Sequence, residues 1–298
     1  MTSSIPYLGE ALSLLSAGLW ALAVIFFRKS GEKVHPLALN TFKNLMAFIL
    51  FIPTIWIFRE TLLYPAPWNT YLLLILSGIV GIAIGDSLLF ASLNKLGAGL
   101  TGIVVCMYSP FIICLSILFL GETLTIRQIL GAILIIAAVM IAAIKKEKRI
   151  FDNKQLIIGI LFGILASAGM AVGVIIMKPI INETPLLWAT EIRLLGGIIA
   201  LGFIFLFYPR RRLLADSLLT TNKWQYTISG SLIGAYLAMA VWLGGMKYTQ
   251  ASVASALNQT STIFIFIFAG IILKEPLNLK HVVSIIMAFI GTLLVSFS

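Results

Sequence analysis

MYSPFIICLSILFLGETLTIRQILGAILIIAAVMI, residues 107–141, occurs in this chain in two versions. The second version, residues 260–294, reads TSTIFIFIFAGIILKEPLNLKHVVSIIMAFIGTLL and aligns with the first without a gap at an offset of 153 positions. Each copy contains an apolar run, a short charged connection around a glutamate, and a second apolar run. A repeat on this scale predicts two homologous halves, residues 1–149 and 150–298.

The composition is typical of a protein that lies in a lipid bilayer. Hydrophobic residues make up 60% of the chain and charged residues only 11%, whereas a soluble domain carries about 25% charged residues. The formal net charge is +10, but the basic residues stand in loops beside apolar segments. We therefore expect them to anchor helices at the membrane surface and not to bind nucleic acid.

Ten apolar segments are long enough to cross a bilayer, which takes about 20 helical residues for a core of ~30 Å. The predicted spans are residues 8–27, 37–58, 70–92, 100–120, 124–144, 156–177, 187–208, 224–246, 252–273 and 279–297. Lipid offers no water to backbone N–H and C=O groups, so these segments must be helices. The predicted fold class is an all-α integral membrane protein with ten transmembrane helices.

Lysine and arginine are distributed unequally between the two sides of the membrane. Fifteen of them follow predicted helices 1, 3, 5, 7 and 9, while four lie in the remaining loops and termini. The positive-inside rule then predicts a multi-pass protein of the cell membrane with both termini on the non-cytoplasmic side. Five helices per half is an odd number, so the second half is predicted to enter the membrane inverted. Inverted repeats are typical of secondary transporters with a substrate site near the midplane.

Short motifs in the first half resemble those of the EamA family of the drug/metabolite transporter superfamily. The matching residues are Pro110, the run 120–125, Gln128, Gly131, the run 85–93 and the run 96–98. The second copy departs from this pattern, with Ile263 at the proline position and Ser284 at the glycine position. The resemblance implies ten helices in two five-helix repeats and movement of small metabolites, often by export. It implies neither a particular substrate nor a coupling ion.

Ionisable residues inside predicted spans are costly and therefore candidates for function. Asp86 in helix 3 and Lys43 in helix 2 are predicted at similar depth, so they either form a structural ion pair or leave Asp86 to respond to protons or bind a substrate amine. Glu191 and Arg193 lie in helix 7. Residues two apart do not share a helix face, so a contact of Arg193 with Glu10 is as plausible as one with Glu191.

Polar and aromatic side chains near the predicted midplane are the candidates for substrate binding. Helix 9 carries Asn258, Gln259 and Thr262, which either hold helices together or line a pocket. The corresponding part of helix 4 offers Tyr108, and helix 1 offers Trp20 in mid-span. The predicted substrate-binding set is therefore Trp20, Asp86, Tyr108, Asn258, Gln259 and Thr262, with Trp242 and Tyr236 as weaker candidates.

The remaining tryptophans and the repeated glutamates receive structural interpretations. Trp56, Trp68, Trp188 and Trp224 lie near span ends, where an interfacial aromatic belt is expected. Glu122 and Glu275, one in each copy of the hairpin, are predicted to cap helix N-termini.

The motifs present and absent favour a transporter over other classes. The chain has no phosphate-binding nucleotide loop and no zinc-protease motif, and we predict no cofactor, no metal and no enzymatic activity. The leading hypothesis is a secondary transporter that moves small polar metabolites such as amino acids, driven by a proton gradient or by the substrate gradient. The alternatives are a flippase for a lipid-linked polar substrate, an integral-membrane enzyme and a scaffold or receptor. A monomer can form a complete pathway, and an oligomer is compatible with the sequence.

Overall fold

The computed structural model describes residues 7–120, 125–143, 153–249, 254, 257–258, 260–275 and 279–296. This part of the chain is helical and contains no β-strand. In chain order the helices are α1 (Leu8–Ser30), α2 (Pro36–Ile57), α3 (Trp68–Leu96), α4 (Ala98–Val105, continuing as Tyr108–Leu120), α5 (Ile126–Ala143), α6 (Asn153–Glu183), α7 (Leu186–Phe207), α8 (Arg211–Leu219), α9 (Trp224–Tyr248), α10 (Ser261–Ile272) and α11 (Leu279–Ser296).

Seven of the described helices are long and apolar enough to cross a membrane: α1, α2, α3, α4, α6, α7 and α9. Shorter apolar stretches occur in α5 (Ile129–Ala138), in α10 and in α11 (Val282–Gly291), at the positions of predicted spans 5, 9 and 10. Large apolar side chains cover much of the outer surface, for example Ile57 and Phe207, which are more than three-quarters exposed. Such a surface is stable in lipid, and the chain is a multi-pass membrane protein.

Two glutamates cap helices that are distant in sequence. The carboxylate of Glu275 accepts the backbone N–H groups of Ala98 and Gly99, at 2.9 Å each, where α4 begins. Glu60 accepts the N–H groups of Leu187 and Trp188 at the start of α7, at 2.9 and 3.2 Å. Backbone donors at a helix start have no intrahelical partner, so these carboxylates satisfy them and also complement the helix dipoles. Glu275 caps a helix as predicted, but that helix is α4 and not the one that follows Glu275 in the chain. Glu122 lies outside the described residues.

Two helices contain a π-helical segment in mid-span. In α3 it covers Ile79–Asp86 and in α9 it covers Ser231–Ala238, so the two segments begin 152 positions apart. A π-helical turn adds a residue and locally widens the helix, and such turns occur frequently at functional sites. Neither segment is predictable from the sequence, because an α-helix and a π-helix show nearly the same apolar pattern.

Glycines bring α3 into backbone contact with α6 and α7. A side chain at Gly173 of α6 would meet the carbonyl oxygen of Ser77 at 2.9 Å, and one at Gly196 of α7 would meet that of Ile75 at 2.5 Å. Elsewhere α1 packs against α9 and α10, and α5 packs against α11. Close approach of this kind is typical of small residues between membrane helices.

Trp188 is not part of an interfacial belt. Its side chain is fully buried and packs against Tyr64 and Tyr71 with ring centroids 5.2 and 5.1 Å apart. The prediction from its position near a span end was therefore wrong, because the loop before α3 folds back over the start of α7. Trp56 and Trp68, predicted in the same way, are 70% and 72% exposed.

The glycine packing predicts that Gly78→Ala destabilises the protein. The added methyl group would overlap the backbone carbonyl oxygen of Arg193, which cannot move aside without displacing α7. We expect a loss of about 1–3 kcal/mol, measured by thermal unfolding in detergent. The control is Gly202→Ala on α7, where the methyl group meets nothing within 4 Å and better helix propensity stabilises by up to about 1 kcal/mol. Equal unfolding temperatures for the two variants would contradict the prediction.

Candidate functional site

A cavity of about 120 Å³ lies among α1, α2, α3, α4, α6, α7 and α9 and is also lined by Asn258 and Ser261. Both π-helical segments contribute to its wall, through Gly81, Ile82 and Asp86 in α3 and through residues 234, 235 and 238 in α9. The cavity therefore lies where the two irregular helices face each other.

Six of the nine residues singled out from the sequence line this cavity. They are Trp20, Lys43, Asp86, Tyr108, Arg193 and Asn258. The fold thus brings these six side chains, which are far apart in the chain, to one cavity. Their spacing in the sequence does not predict that they are neighbours. Trp242, a weaker candidate, also lines it, whereas Tyr236 instead shares a 2.6 Å hydrogen bond with the Thr54 hydroxyl. Ser16 and Ser261 also line the cavity. Ser261 belongs to the polar run 258–262 of predicted helix 9, whereas Ser16 is a single hydroxyl that carries no periodic signal.

The other three predicted residues are placed differently. Thr262 lines a second cavity of about 30 Å³, which shares Trp20, Val105, Met170 and Ser261 with the first. Thr262 also lies 3.4 Å from the carbonyl oxygen of Gly102 on α4, so it links α10 to α4. Glu191 is buried and lies outside the lining of both cavities. Gln259 lies outside the described residues.

Lys43 and Asp86 form a buried ion pair. Lys43 Nζ donates to Asp86 Oδ2 at 2.6 Å, and it lies 5.6 Å from the centre of the Phe90 ring. Both residues are less than a tenth exposed. In a low-dielectric interior an unpaired ion is expensive, so the pair neutralises both charges and joins α2 to α3. The ion pair expected between Lys43 and Asp86 is therefore present.

An amide network extends this pair along α2. Asn44 Oδ1 accepts a 3.3 Å hydrogen bond from Lys43, and Asn44 Nδ2 donates to Asn40 Oδ1 at 2.8 Å. Asn40 Nδ2 in turn donates to the carbonyl oxygen of Ile82 and to Ser87 Oγ, both at 2.9 Å. Asn40 thus satisfies a carbonyl inside the π-helical segment of α3. This network could have been predicted from the spacing of residues 40, 43 and 44, since positions three and four apart share a helix face.

Arg193 pairs with neither carboxylate proposed from the sequence. Glu10 instead accepts a hydrogen bond from the Thr249 hydroxyl at 3.2 Å, and both Glu191 oxygens lack a partner among the described residues. The guanidinium faces the cavity and interacts electrostatically with Asp86 and Tyr108. The predicted contacts fail because the first turn of α1 packs on the end of α9 and not on α7.

Four buried polar atoms in the cavity wall have no hydrogen-bond partner within the described part of the chain. They are Tyr108 Oη, Arg193 Nε, Trp242 Nε1 and Asn258 Oδ1. A buried polar group without a partner costs about 1–3 kcal/mol, and groups of this kind in folded proteins call for an explanation. All four belong to residues that line the same cavity.

No group of three His, Cys, Asp or Glu side chains suited to a metal ion occurs in the described ranges. The charged side chains that line the cavity are Lys43 and Asp86, which form the ion pair, and Arg193.

The ion pair predicts a strongly non-additive double-mutant cycle. Lys43→Met or Asp86→Leu alone leaves an uncompensated buried charge and should cost about 3–5 kcal/mol, while the double variant should cost less than either. The readout is thermal unfolding in detergent. The matched control is Lys223→Met at the exposed Lys223–Glu32 pair, 3.7 Å apart, where about 1 kcal/mol or less is expected. Additive losses at Lys43 and Asp86 would show that the pair is not coupled.

Comparisons with known proteins agree with this architecture. The EamA-like transporter family matches residues 7–144 and again 157–297. A protein of Archaeoglobus fulgidus described as an uncharacterized transporter is 26% identical over 288 residues, covering 95% of this chain and 96% of its own. One from Methanothermobacter thermautotrophicus, described in the same words, is 24% identical over 75% of this chain and 64% of its own. A solved crystal structure covers 97% of this chain and 96% of its own with a TM-score of 0.71 at 15% identity, which shows a shared fold. The chain is a membrane transporter that belongs to the EamA-like transporter family.

Proposed function

We propose that this protein is a secondary transporter that exports small polar metabolites such as amino acids by alternating access. The observation that carries the proposal is the 120 Å³ cavity with its four unpartnered buried polar atoms. A site of this kind favours a solute with several polar groups and is costly to leave empty. Trp20, Tyr108 and Trp242 supply aromatic wall surface beside those groups.

We also propose that ten helices form two inverted five-helix repeats, residues 1–149 and 150–298. The π-helical segments support this, because their offset of 152 positions falls between the two offsets found in the sequence, 150 around Arg28 and Lys178 and 153 in the hairpin. The cavity lining draws on both halves, so one chain contains the whole site and a monomer suffices for transport.

The second cavity is the part of the pathway that we assign to the cytoplasmic side. Its lining residues Val24, Leu93 and Thr101 lie near the end of α1, the end of α3 and the start of α4. That same end is closed by Glu275, which binds the start of α4 and lies 4.0 Å from Arg28. The charge bias of the loops favours the cytoplasm for this end. Opening toward the cytoplasm would then require Glu275 to leave α4.

Transport predicts saturable flux that depends on the cavity wall. In proteoliposomes, Trp20→Ala should lower kcat/KM for a transported amino acid at least about tenfold, because it removes an aromatic surface shared by both cavities. The control is Trp56→Ala, whose side chain is 70% exposed on the outer surface and should change kcat/KM by less than about twofold. Absence of saturable flux for any small solute would refute the transporter mechanism.

Proton coupling through Asp86 is the second part of this proposal. Protonation of Asp86 would release its partner Lys43 and leave that charge uncompensated, which biases the packing of α2 on α3. Asp86→Asn should therefore abolish flux driven by a pH gradient and retain part of the solute exchange, measured in proteoliposomes with a pH-sensitive dye. Unchanged proton dependence in this variant would remove Asp86 from the coupling mechanism.

A further inference from the structure

We propose that the cavity selects its substrate by a carboxylate group, that Arg193 is the anchor for that group, and that a substrate ammonium group is dispensable. This inference rests on the proposed function, because it names the chemical class of the transported solute. It follows from the charges in the cavity, from the hydrogen-bond donors of its lining residues and from the way α3 holds the guanidinium.

The charges in the cavity leave one positive charge over. The ionisable lining residues are Lys43, Asp86, Arg193 and Tyr108, and the tyrosine is a neutral phenol at physiological pH. Lys43 is compensated by Asp86 at 2.6 Å and further satisfied by Asn44 at 3.3 Å. Arg193 takes part in none of the ion pairs found among the described residues. An anionic ligand is the partner that neutralises it.

Asp86 offers little net charge to a substrate amine. Lys43 donates to Asp86 Oδ2 and already compensates the carboxylate charge, so an ammonium ion at the other oxygen would compete with the lysine for one negative charge. Asn258 Oδ1, the unpartnered acceptor in the wall, is neutral. An amino group therefore gains little charge compensation, whereas a carboxylate beside Arg193 gains charge-assisted bonds, which are roughly twice as strong as neutral ones.

The unpartnered atoms are mainly donors, as an anion requires. Arg193 Nε and Trp242 Nε1 carry hydrogens and cannot accept, and the Tyr108 hydroxyl can donate. Arginine can bind the two oxygens of a carboxylate with two parallel N–H bonds. A single uncompensated positive charge fits a monoanionic carboxylate better than a dianionic phosphate monoester.

Glycines of α3 position the guanidinium. A Cβ atom at Gly81 would lie 3.0 Å from Arg193 Nη2, so the absence of a side chain at residue 81 makes room for the arginine. The backbone of Arg193 is packed still more closely against Gly78, where an added Cβ atom would overlap the Arg193 carbonyl oxygen. Packing against these glycines holds the guanidinium group of Arg193 in place before a ligand binds, which reduces the entropy lost on binding. Trp20, Tyr108 and Trp242 add apolar wall surface to the cavity, so a carboxylate with a small aliphatic side chain is a suitable probe.

The test compares three probes of one shape: leucine, leucinamide and 4-methylpentanoate. Leucinamide lacks the carboxylate and 4-methylpentanoate lacks the amine. Binding is measured as the thermal shift and the Kd for the purified full-length protein in detergent. We expect leucine and 4-methylpentanoate to bind within about threefold of each other and leucinamide at least about tenfold more weakly. We expect no stabilisation by inorganic phosphate.

Variants assign the preference to Arg193. In Arg193→Gln the acid and the amide should bind within about threefold of each other, and Arg193→Lys should restore part of the preference, because lysine keeps the charge and loses the fork. Arg212→Gln, at an exposed arginine of α8, should behave as wild type. If Arg193→Gln does not fold, Tyr108→Phe provides the test, since it removes one donor without changing the ring and should weaken only the carboxylate probes. Its matched control is the exposed Tyr248→Phe.

Failure of this proposal can be distinguished from failure of the proposed function. If leucinamide binds as tightly as 4-methylpentanoate, if no probe shows a carboxylate-dependent shift, or if Arg193→Gln keeps the wild-type preference, the carboxylate anchor is refuted while flux of other solutes can still establish transport. If the carboxylates bind with the expected preference but proteoliposomes show no flux of any solute, the anchor stands and the transport mechanism is refuted.

Discussion

Buried charge is the constraint on which the centre of this structure depends. Within a bilayer an ion needs a partner inside the protein, because neither water nor lipid can solvate it. Lys43 and Asp86 solve this for each other at 2.6 Å, and Asn44 and Asn40 carry the hydrogen bonding on to the backbone of α3. The polar groups of α2 therefore set where α3 lies. Arg193 is the exception, and its uncompensated charge points to the ligand.

The space around these charges is set by residues without side chains. Glycines at positions 78 and 81 let α3 lie against α7, and the π-helical turns of α3 and α9 place Asp86, Gly81 and Ala235 on the cavity wall. A rigid, closely packed frame next to an irregular turn is a common arrangement at binding sites, since the frame holds the groups that the turn exposes. Close packing and ligand recognition thus use the same short segments.

Composition and periodicity predicted the helices well, because the requirement for about 20 apolar residues per span is imposed by the bilayer itself. Intramembrane polarity also led to Trp20, Tyr108 and Asn258, since a polar group in lipid always needs a reason. The contacts that polar side chains make were harder to predict from the sequence. Predicted depth made Glu10 as plausible a partner of Arg193 as Glu191, yet Glu10 contacts Thr249. Depth along a helix can be read from sequence, whereas the direction in which a helix face points depends on neighbours that sequence spacing does not specify. Trp188 illustrates the same limit, because its burial is due to Tyr64 and Tyr71 in the preceding part of the chain.

The cap on α4 has a consequence for biosynthesis. Glu275 lies 177 positions after Ala98, so the two N–H groups that it binds have no such partner while the chain between them is being made. The first turn of α4 therefore gains this cap only after the connection that follows α10 has been made. Glu60 acts in the opposite order, because it is synthesised 127 positions before the helix that it caps and can receive α7 as soon as that helix arrives. The two ends of the protein are thus completed at different times, with the start of α7 closed early and the start of α4 closed last.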